Sequence, residues 1–170
     1  MAMSNSLRNK LMTAAGSGAM FIAMAFLGGK EGVEGRQYTP YQDVAGVWTV
    51  CDGHTGSDIV QSKQYTDREC NQLLSVDLQP VKKTVDSMVT IPLGEYQRAA
   101  LYSFTYNVGT RAFSTSTLLK QLNAGDVKGA CQALRHWVYA GGQKWRGLMN
   151  RRDMERSMCL AENADELAGK

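Results

Sequence analysis

The most distinct hydrophobic pattern is an unbroken apolar run near the start of the chain. Residues 1–10 are polar and include Arg8 and Lys10, whereas the nineteen residues from Leu11 to Gly29 carry no charge. As a helix this run would span roughly 28 Å, close to the ~30 Å hydrocarbon core of a bilayer. Positive charge before the run favours an N-terminus in the cytoplasm and the remainder of the chain outside. The pattern therefore predicts a signal-anchor helix in the inner membrane.

This predicted anchor is weak, because eleven of its nineteen residues are Ala, Gly, Ser or Thr. Small and polar residues remove the apolar area that favours insertion, so we expect the segment to be able to leave the membrane. Met20, Phe21, Met24 and Leu27 fall on one helical face, suited to lipid or to later packing. Two alternatives stay open: a signal peptide cleaved after Ala23-Met24-Ala25, and a buried helix of a soluble protein.

The pattern changes after the apolar run. Residues 37–65 are rich in Tyr, Val, Thr and Gly, and alternation at Val47–Val50 predicts short strands. Thr66-Asp67-Arg68-Glu69 is a capping box that opens a helix, and Pro80 is expected to kink or end that helix. Further helices are predicted at about 94–107, 115–123, 127–139 and 144–160.

These elements predict an α+β fold in which a small β layer lies beside a larger helical lobe, with a cleft between them. The N-terminal signal-anchor helix is additional to this fold. We expect two parts, an anchor segment at residues 1–29 and one folded domain at residues 30–170.

Charge and histidine content exclude several functional classes. From residue 30 onward there are 17 Lys and Arg against 16 Asp and Glu, so the folded part is nearly neutral and no nucleic-acid partner is expected. His54 and His136 are the only histidines, which leaves little room for a Ser-His-Asp triad. The basic residues Arg146, Arg151, Arg152 and Arg156 are predicted to form a solvated helix face. The tryptophans are predicted to be core or interface residues.

Four cysteines, an even number at wide spacing, suggest disulfides rather than a metal site. Cys51 and Cys70 flank the predicted β layer, while Cys131 and Cys159 lie on the late helices. Export to an oxidising periplasm would favour the pairs 51–70 and 131–159. Reduced core cysteines are the alternative.

The remaining candidates for chemistry are carboxylates. Glu34 is followed by Gly35, Asp43 comes after eight intervening residues, and Thr49 comes after five more. Glycoside cleavage needs one carboxylic acid to protonate the leaving oxygen and one carboxylate to activate water or stabilise the sugar cation. Glu31 competes with Glu34, because each precedes a glycine.

The segment Glu34–His54, EGRQYTPYQDVAGVWTVCDGH, resembles the active-site region of the phage-type lysozymes. That family has Glu-Gly at a helix end, then Asp and Thr in a β-hairpin, then Gly-His. The resemblance selects Glu34 over Glu31. It continues over residues 30–160 through the motifs Tyr106-Asn107-Val108-Gly109, Ser116-Thr117-Leu118-Leu119, Trp137–Gly142 and Gly147–Arg152. The N-terminus resembles that of lambdoid-phage endolysins with a signal-anchor-release segment.

The resemblance implies a muramidase that cleaves the β-1,4 bond between N-acetylmuramic acid and N-acetylglucosamine of peptidoglycan, with inversion and without a metal or organic cofactor. Glu34 would be the general acid, and Asp43 with Thr49 would position and activate water. His54 would form a structural ion pair with Asp77.

The expected partners are the peptidoglycan substrate and, through residues 11–29, the host inner membrane. Tethering would keep the enzyme inactive, and release to the periplasm would activate it as a monomer that lyses the host cell. Two alternatives remain: a lytic transglycosylase that uses Glu34 alone, and a non-catalytic wall-binding module.

Overall fold

Three short antiparallel strands form the β layer, in the order β1-β2-β3. The structure is a computed structural model that describes residues 3–162 and 164–169. The strand predicted at Val47–Val50 is confirmed as β2, and Tyr41 of β1 lies opposite Thr49 of β2. The strand bounds are β1 (Gln37–Gln42), β2 (Trp48–Cys51) and β3 (His54–Thr55).

Helices form the larger lobe around one buried helix, α4, which packs against α2, α3, α5 and α8. Five apolar residues of α4 are at most 1% exposed: Ala99, Ala100, Leu101, Tyr102 and Phe104. The predicted α+β architecture is therefore confirmed. The helix bounds are α1 (Asn5–Thr13), α2 (Ala19–Leu27), α3 (Asp67–Met88), α4 (Glu95–Val108), α5 (Thr110–Ser114), α6 (Thr117–Asn123), α7 (Val127–Ala133), α8 (Arg146–Leu160) and α9 (Ala164–Ala168).

The single helix predicted over residues 11–29 is not present, because the chain breaks between α1 and α2. Gly16 and Gly18 have φ of +78° and +93°, backbone conformations that glycine adopts easily and that end a right-handed helix. Within residues 3–162 and 164–169, no helix has both the length and the apolar character needed to cross a bilayer.

Both N-terminal helices contribute to the main hydrophobic core. Leu7, Leu11, Ile22 and Phe26 are at most 3% exposed and lie in the same cluster as α4. The buried face of α2 differs from the predicted stripe. Ile22, Ala23, Phe26 and Leu27 are buried, whereas Phe21 is 63% exposed and Met20 and Met24 are half-buried. Contacts with α4 decide which face of α2 is buried, and side-chain size alone did not predict that face.

The predicted helix after Thr66 forms with its full capping box, but Pro80 neither ends nor interrupts it. Pro80 is exposed, and Val76, whose carbonyl loses its helical partner, is 66% exposed, so water can satisfy that carbonyl. Leu74 and Leu78 before Pro80 and Val81 after it are buried and hold the helix to the core.

One further prediction differs in detail from the structure. The helix predicted at 127–139 ends at Ala133 and is followed by a 3-10 turn (Leu134–His136). A small hairpin follows, with strands β4 (Tyr139–Ala140) and β5 (Gln143–Lys144). Both predicted disulfides, Cys51–Cys70 and Cys131–Cys159, are confirmed.

Candidate active site

Glu34 lies in the loop of residues 28–36 that joins α2 to β1. The loop folds back on the helix end, since the Glu34 amide donates to the Leu27 carbonyl oxygen at 3.3 Å. Gly32 permits this close turn, because a Cβ at that position would lie 2.2 Å from the same carbonyl oxygen. The backbone around Glu34 is therefore tied to α2.

The competing acid, Glu31, has a different environment. It is exposed and accepts a 2.5 Å hydrogen bond from the Ser6 hydroxyl of α1. The Glu34 side chain is only 17% exposed and faces the body of the protein. Glu34 is thus the more buried of the two acids, which favours it as the catalytic group.

Arg151 of α8 holds one oxygen of the Glu34 carboxyl group. Its Nη1 lies 2.5 Å from Glu34 Oε1. Burial alone would lower the pKa of Arg151, but the charges of Glu155 and Glu34 outweigh burial and raise this pKa. Arg151 therefore stays charged and orients the Glu34 carboxyl group.

A buried polar network fixes Arg151 in turn. Arg151 Nε donates to Glu155 Oε1 at 2.9 Å, and the Ser103 hydroxyl donates to the same oxygen at 2.6 Å. Arg152 donates to the second oxygen of Glu155 and to the Asn107 side chain. Glu155 and Arg152 are fully buried, so each charge requires these partners.

The second oxygen of Glu34 faces Gly53, the residue before β3. A Cβ added to Gly53 would lie 3.5 Å from Glu34 Oε2 and 3.7 Å from the Tyr106 hydroxyl. That hydroxyl donates a 2.9 Å hydrogen bond to the Asp52 carbonyl oxygen. Burial, together with the charges of Asp77 and Glu34, raises the pKa of Tyr106, so it remains a proton donor.

Asp43 lies in the turn that follows β1. Its Oδ1 accepts hydrogen bonds from the backbone amides of Ala45 and Val47 at 2.8 and 2.9 Å. Its Oδ2 makes no hydrogen bond to the part of the chain that the structure describes. The turn thus holds the side chain by one oxygen and leaves the other available to solvent or substrate.

Thr49 lies on β2, four residues before Gly53, and is 5% exposed. Its hydroxyl donates a 3.1 Å hydrogen bond to the Val47 carbonyl oxygen. Val47 also donates its amide to Asp43, so the two side chains are attached to the same turn residue. This common anchor couples the positions of Thr49 and Asp43.

Two cavities flank the Glu34 carboxyl group. One of ≈ 530 Å³ is lined by Glu34 and by residues of β1 that lead to Asp43. The other, of ≈ 290 Å³, is lined by Gly53 and Tyr106 together with residues of β3, α3 and α5. We refer to these two cavities together as the cleft. The first is lined by Glu34, Gly35, Gln37, Thr39, Pro40 and Tyr41.

His54 contacts the aspartate expected from the sequence. His54 Nδ1 lies 2.8 Å from Asp77 Oδ2, and its Nε2 lies 3.2 Å from Asp58 Oδ1. Burial lowers the pKa of His54, but the hydrogen bonds and charges of both aspartates outweigh burial and raise it above 6.5. The predicted His54–Asp77 contact is confirmed, and it joins β3 to α3.

Arg151 was not predicted as a site residue, because the sequence pattern indicated a solvated helix face for all four arginines of this segment. Arg151 and Arg152 are buried, and only Arg146 is exposed. Their i,i+4 and i,i+3 spacing to Glu155 is the signal that could have indicated a buried charged face. Among the tryptophans, Trp137 packs edge-on against Phe104, as expected, whereas Trp145 is 52% exposed.

Comparison with known proteins gives matches over most of the chain. The phage lysozyme family matches residues 31–155. The SAR-endolysin of Bacteriophage PS119 is 52% identical over 163 residues, covering 94% of this chain and 98% of that protein. The SAR-endolysin of Enterobacteria phage P21 is 50% identical over 158 residues, covering 91% and 96%.

The fold comparison leads to the same family. A mutant of P22 lysozyme superposes with a TM-score of 0.70 at 30% identity, covering 95% of this chain and 99% of that one. Glu34, the β-hairpin and the buried Arg151 all lie within the matched residues 31–155. The chain therefore belongs to the phage lysozyme family, and it is a glycoside hydrolase of the endolysin type.

Proposed function

We propose that this enzyme hydrolyses the β-1,4 bond between N-acetylmuramic acid and N-acetylglucosamine in peptidoglycan, and that Glu34 is the general acid. The observation that carries the proposal is the orientation of Glu34. Arg151 engages Oε1, while Oε2 faces Gly53 and the cleft. In the reaction, the Glu34 proton passes to the glycosidic oxygen as the bond to the sugar breaks.

Asp43 and Thr49 supply the second half of the reaction in this proposal. The free Oδ2 of Asp43 accepts a proton from water, and the Thr49 hydroxyl helps to hold that water. Attack from the face opposite the leaving group inverts the configuration. Both side chains are hydrogen-bonded to the Val47 backbone, which fixes their positions relative to each other and supports this assignment.

The experiment that tests this function is the pair Glu34→Gln and Glu31→Gln. Glutamine cannot donate the leaving-group proton, so Glu34→Gln should abolish lysis in a turbidity assay on permeabilised cells while its thermal unfolding stays close to the parent's. Glu31→Gln is the matched control and should lyse normally. Equal loss in both variants would contradict the assignment. Products with anhydro ends rather than reducing ends would indicate a lytic transglycosylase.

We also propose that residues 11–29 first anchor the chain in the host inner membrane, with the catalytic domain in the periplasm. The described fold is then the released form. Lys10 Nζ donates a 2.7 Å hydrogen bond to the Gly28 carbonyl oxygen, although 18 residues separate them. A helix spanning the bilayer would hold two such residues ~27 Å apart. The Lys10–Gly28 contact is therefore incompatible with the anchored state.

Anchoring would keep the enzyme inactive because of chain length. Glu34 lies five residues beyond Gly29, and five residues reach at most ~18 Å. Ile22 and Phe26 would also be in lipid, so the core between α2 and α4 would be absent. Release would build this core and bring Glu34 to Arg151, which accounts for activation by release into the periplasm and subsequent lysis of the host.

A further inference from the structure

We propose that Asp52 and Arg36 are positioning residues for Glu34, since together they hold both ends of the loop that carries this acid. This inference rests on the proposed role of Glu34 and assigns the side chains that place it. Neither residue forms a hydrogen bond or an ion pair with Glu34 in the described part of the chain. Both act on the backbone on either side of it.

Arg36 holds the end of the loop, two residues after Glu34. Its Nε lies 3.0 Å from Asp52 Oδ1, and its Nη2 lies 2.5 Å from Asp52 Oδ2. Nη1 donates to Asp67 at 2.8 Å and Nη2 to Asn71 at 2.7 Å, so all three nitrogens are used. The Arg36 and Asp52 side chains are 2% and 1% exposed. This bidentate pairing fixes the orientation of the Arg36 guanidinium group as well as its distance from the Asp52 carboxylate.

Asp52 also holds the start of the loop. Its Oδ1 accepts a 3.1 Å hydrogen bond from the Gly29 amide, five residues before Glu34. One carboxylate therefore fastens residues 29 and 36, and the intervening chain closes into a loop with Glu34 near its end. Because Gly29 is the last residue of the proposed anchor, this hydrogen bond becomes possible only after release.

The Asp52 backbone is itself fixed at two points. Its carbonyl oxygen accepts a hydrogen bond from Tyr106 of α4, and the preceding Cys51 is disulfide-bonded to Cys70 of α3. The following residue, Gly53, is the one that faces Glu34 Oε2. Asp52 thus attaches the Glu34 loop to the backbone segment that includes Gly53, which lies across the cleft from Glu34.

The effect of the Arg36–Asp52 pair on Glu34 can be separated from its effect on stability, because the other partners of Arg36 are exposed. Asp67 and Asn71 can turn to water when Arg36 is removed. Replacing a buried ion pair by apolar residues of similar volume is commonly neutral for folding. The double variant Arg36→Met/Asp52→Leu should therefore fold, yet it lacks both attachments that Asp52 makes to the loop, at Gly29 and at Arg36.

The test uses the full chain isolated in its released form, with kcat and KM measured on purified peptidoglycan. A displacement of Glu34 by ~1 Å should lower kcat of the double variant ~100-fold. KM should stay within about threefold, since binding of the sugar is not altered. Hydrogen exchange of the amides between residues 29 and 36 should become faster. The control is Arg98→Met/Asp86→Leu, an ion pair between α4 and α3 that contributes no atom to this loop.

A folded double variant with parental kcat would overturn the inference. If this variant does not fold, Arg36→Lys decides, because lysine keeps the charge and loses the fork. We expect kcat to fall about tenfold in Arg36→Lys, and an unchanged kcat would again overturn the inference. Glu34→Gln is measured in parallel. An active Glu34→Gln would overturn the proposed function and the positioning role together, whereas an inactive Glu34→Gln beside parental positioning variants overturns the positioning role alone.

Discussion

Arg151 Nη1 lies 2.5 Å from Glu34 Oε1, although 117 residues separate the two along the chain. The contact joins the first loop of the site to the last long helix. It therefore exists only when both ends of the protein are folded. The orientation of the proposed acid depends on this long-range pair.

Arg151→Lys should lower kcat about 10- to 100-fold, because lysine cannot bridge Glu34, Glu155 and Ser103 at once. Initial lysis rates on permeabilised cells, normalised to folded protein by circular dichroism, measure the effect. Arg146→Lys, on the same helix but exposed, is the control and should retain parental activity. Parental activity in Arg151→Lys would mean that Arg151 does not orient Glu34.

Gly53→Ala should reduce activity by more than it reduces stability. Gly53 has φ of +90°, and its new methyl group would lie 3.5 Å from Glu34 Oε2. Gly125→Ala is the matched control, since its φ is +88° and no atom lies within 4 Å of the added Cβ. Both changes should cost roughly 1–2 kcal/mol of unfolding free energy from backbone strain. Only Gly53→Ala should also lower kcat, and equal kcat in the two variants would contradict the placement of Glu34.

The His54–Asp77 pair should make stability depend on pH. The pKa of His54 is raised in the folded protein: burial opposes the charge, but Asp77 and Asp58 outweigh burial. The stabilisation is therefore complete below the unfolded value of about 6.5 and is lost as pH rises through the raised pKa.

Asp77→Asn should cost about 1.5–3 kcal/mol at mildly acidic pH and clearly less at alkaline pH. Urea unfolding at about pH 5.5 and about pH 8.5 measures this difference. Asp58→Asn is the control and should have a smaller effect, because the Asp58 side chain is 64% exposed. Equal losses for Asp77→Asn at both pH values would exclude a charged pair.

Replacing Gly16 and Gly18 by leucine should trap the chain in the membrane without lysis. Leucine adds apolar area to the anchor, and it disfavours the positive φ that breaks α1 from α2 in the released form. Membrane fractionation and the time to lysis measure the two consequences. Gly125→Leu carries a similar backbone strain outside the anchor and should still be released. A membrane-bound leucine variant that lyses cells as fast as the parent would show that the tether does not regulate the site.

Local signals in the sequence were sufficient to predict the β layer, most helix starts and both disulfide pairs. The capping box at Thr66 and the N-cap at Asp126 depend on neighbouring residues, so their sequence determines them. The family motifs likewise located Glu34, Asp43 and Thr49 and led to the His54–Asp77 contact. The catalytic roles of the first three remain predictions.

Tertiary packing decided the features that local signals could not. The apolar run at 11–29 is equally suited to lipid and to a protein core, and contact with α4 selects Ile22 and Phe26 as its buried face. Pro80 stays helical because the buried residues around it hold α3 to the core. Arg36 and Arg151 resemble surface charges in the sequence, and they become buried only because distant carboxylates reach them in the fold. A charge acquires its environment from residues far along the chain, and therefore only the folded structure could assign these two arginines to the site.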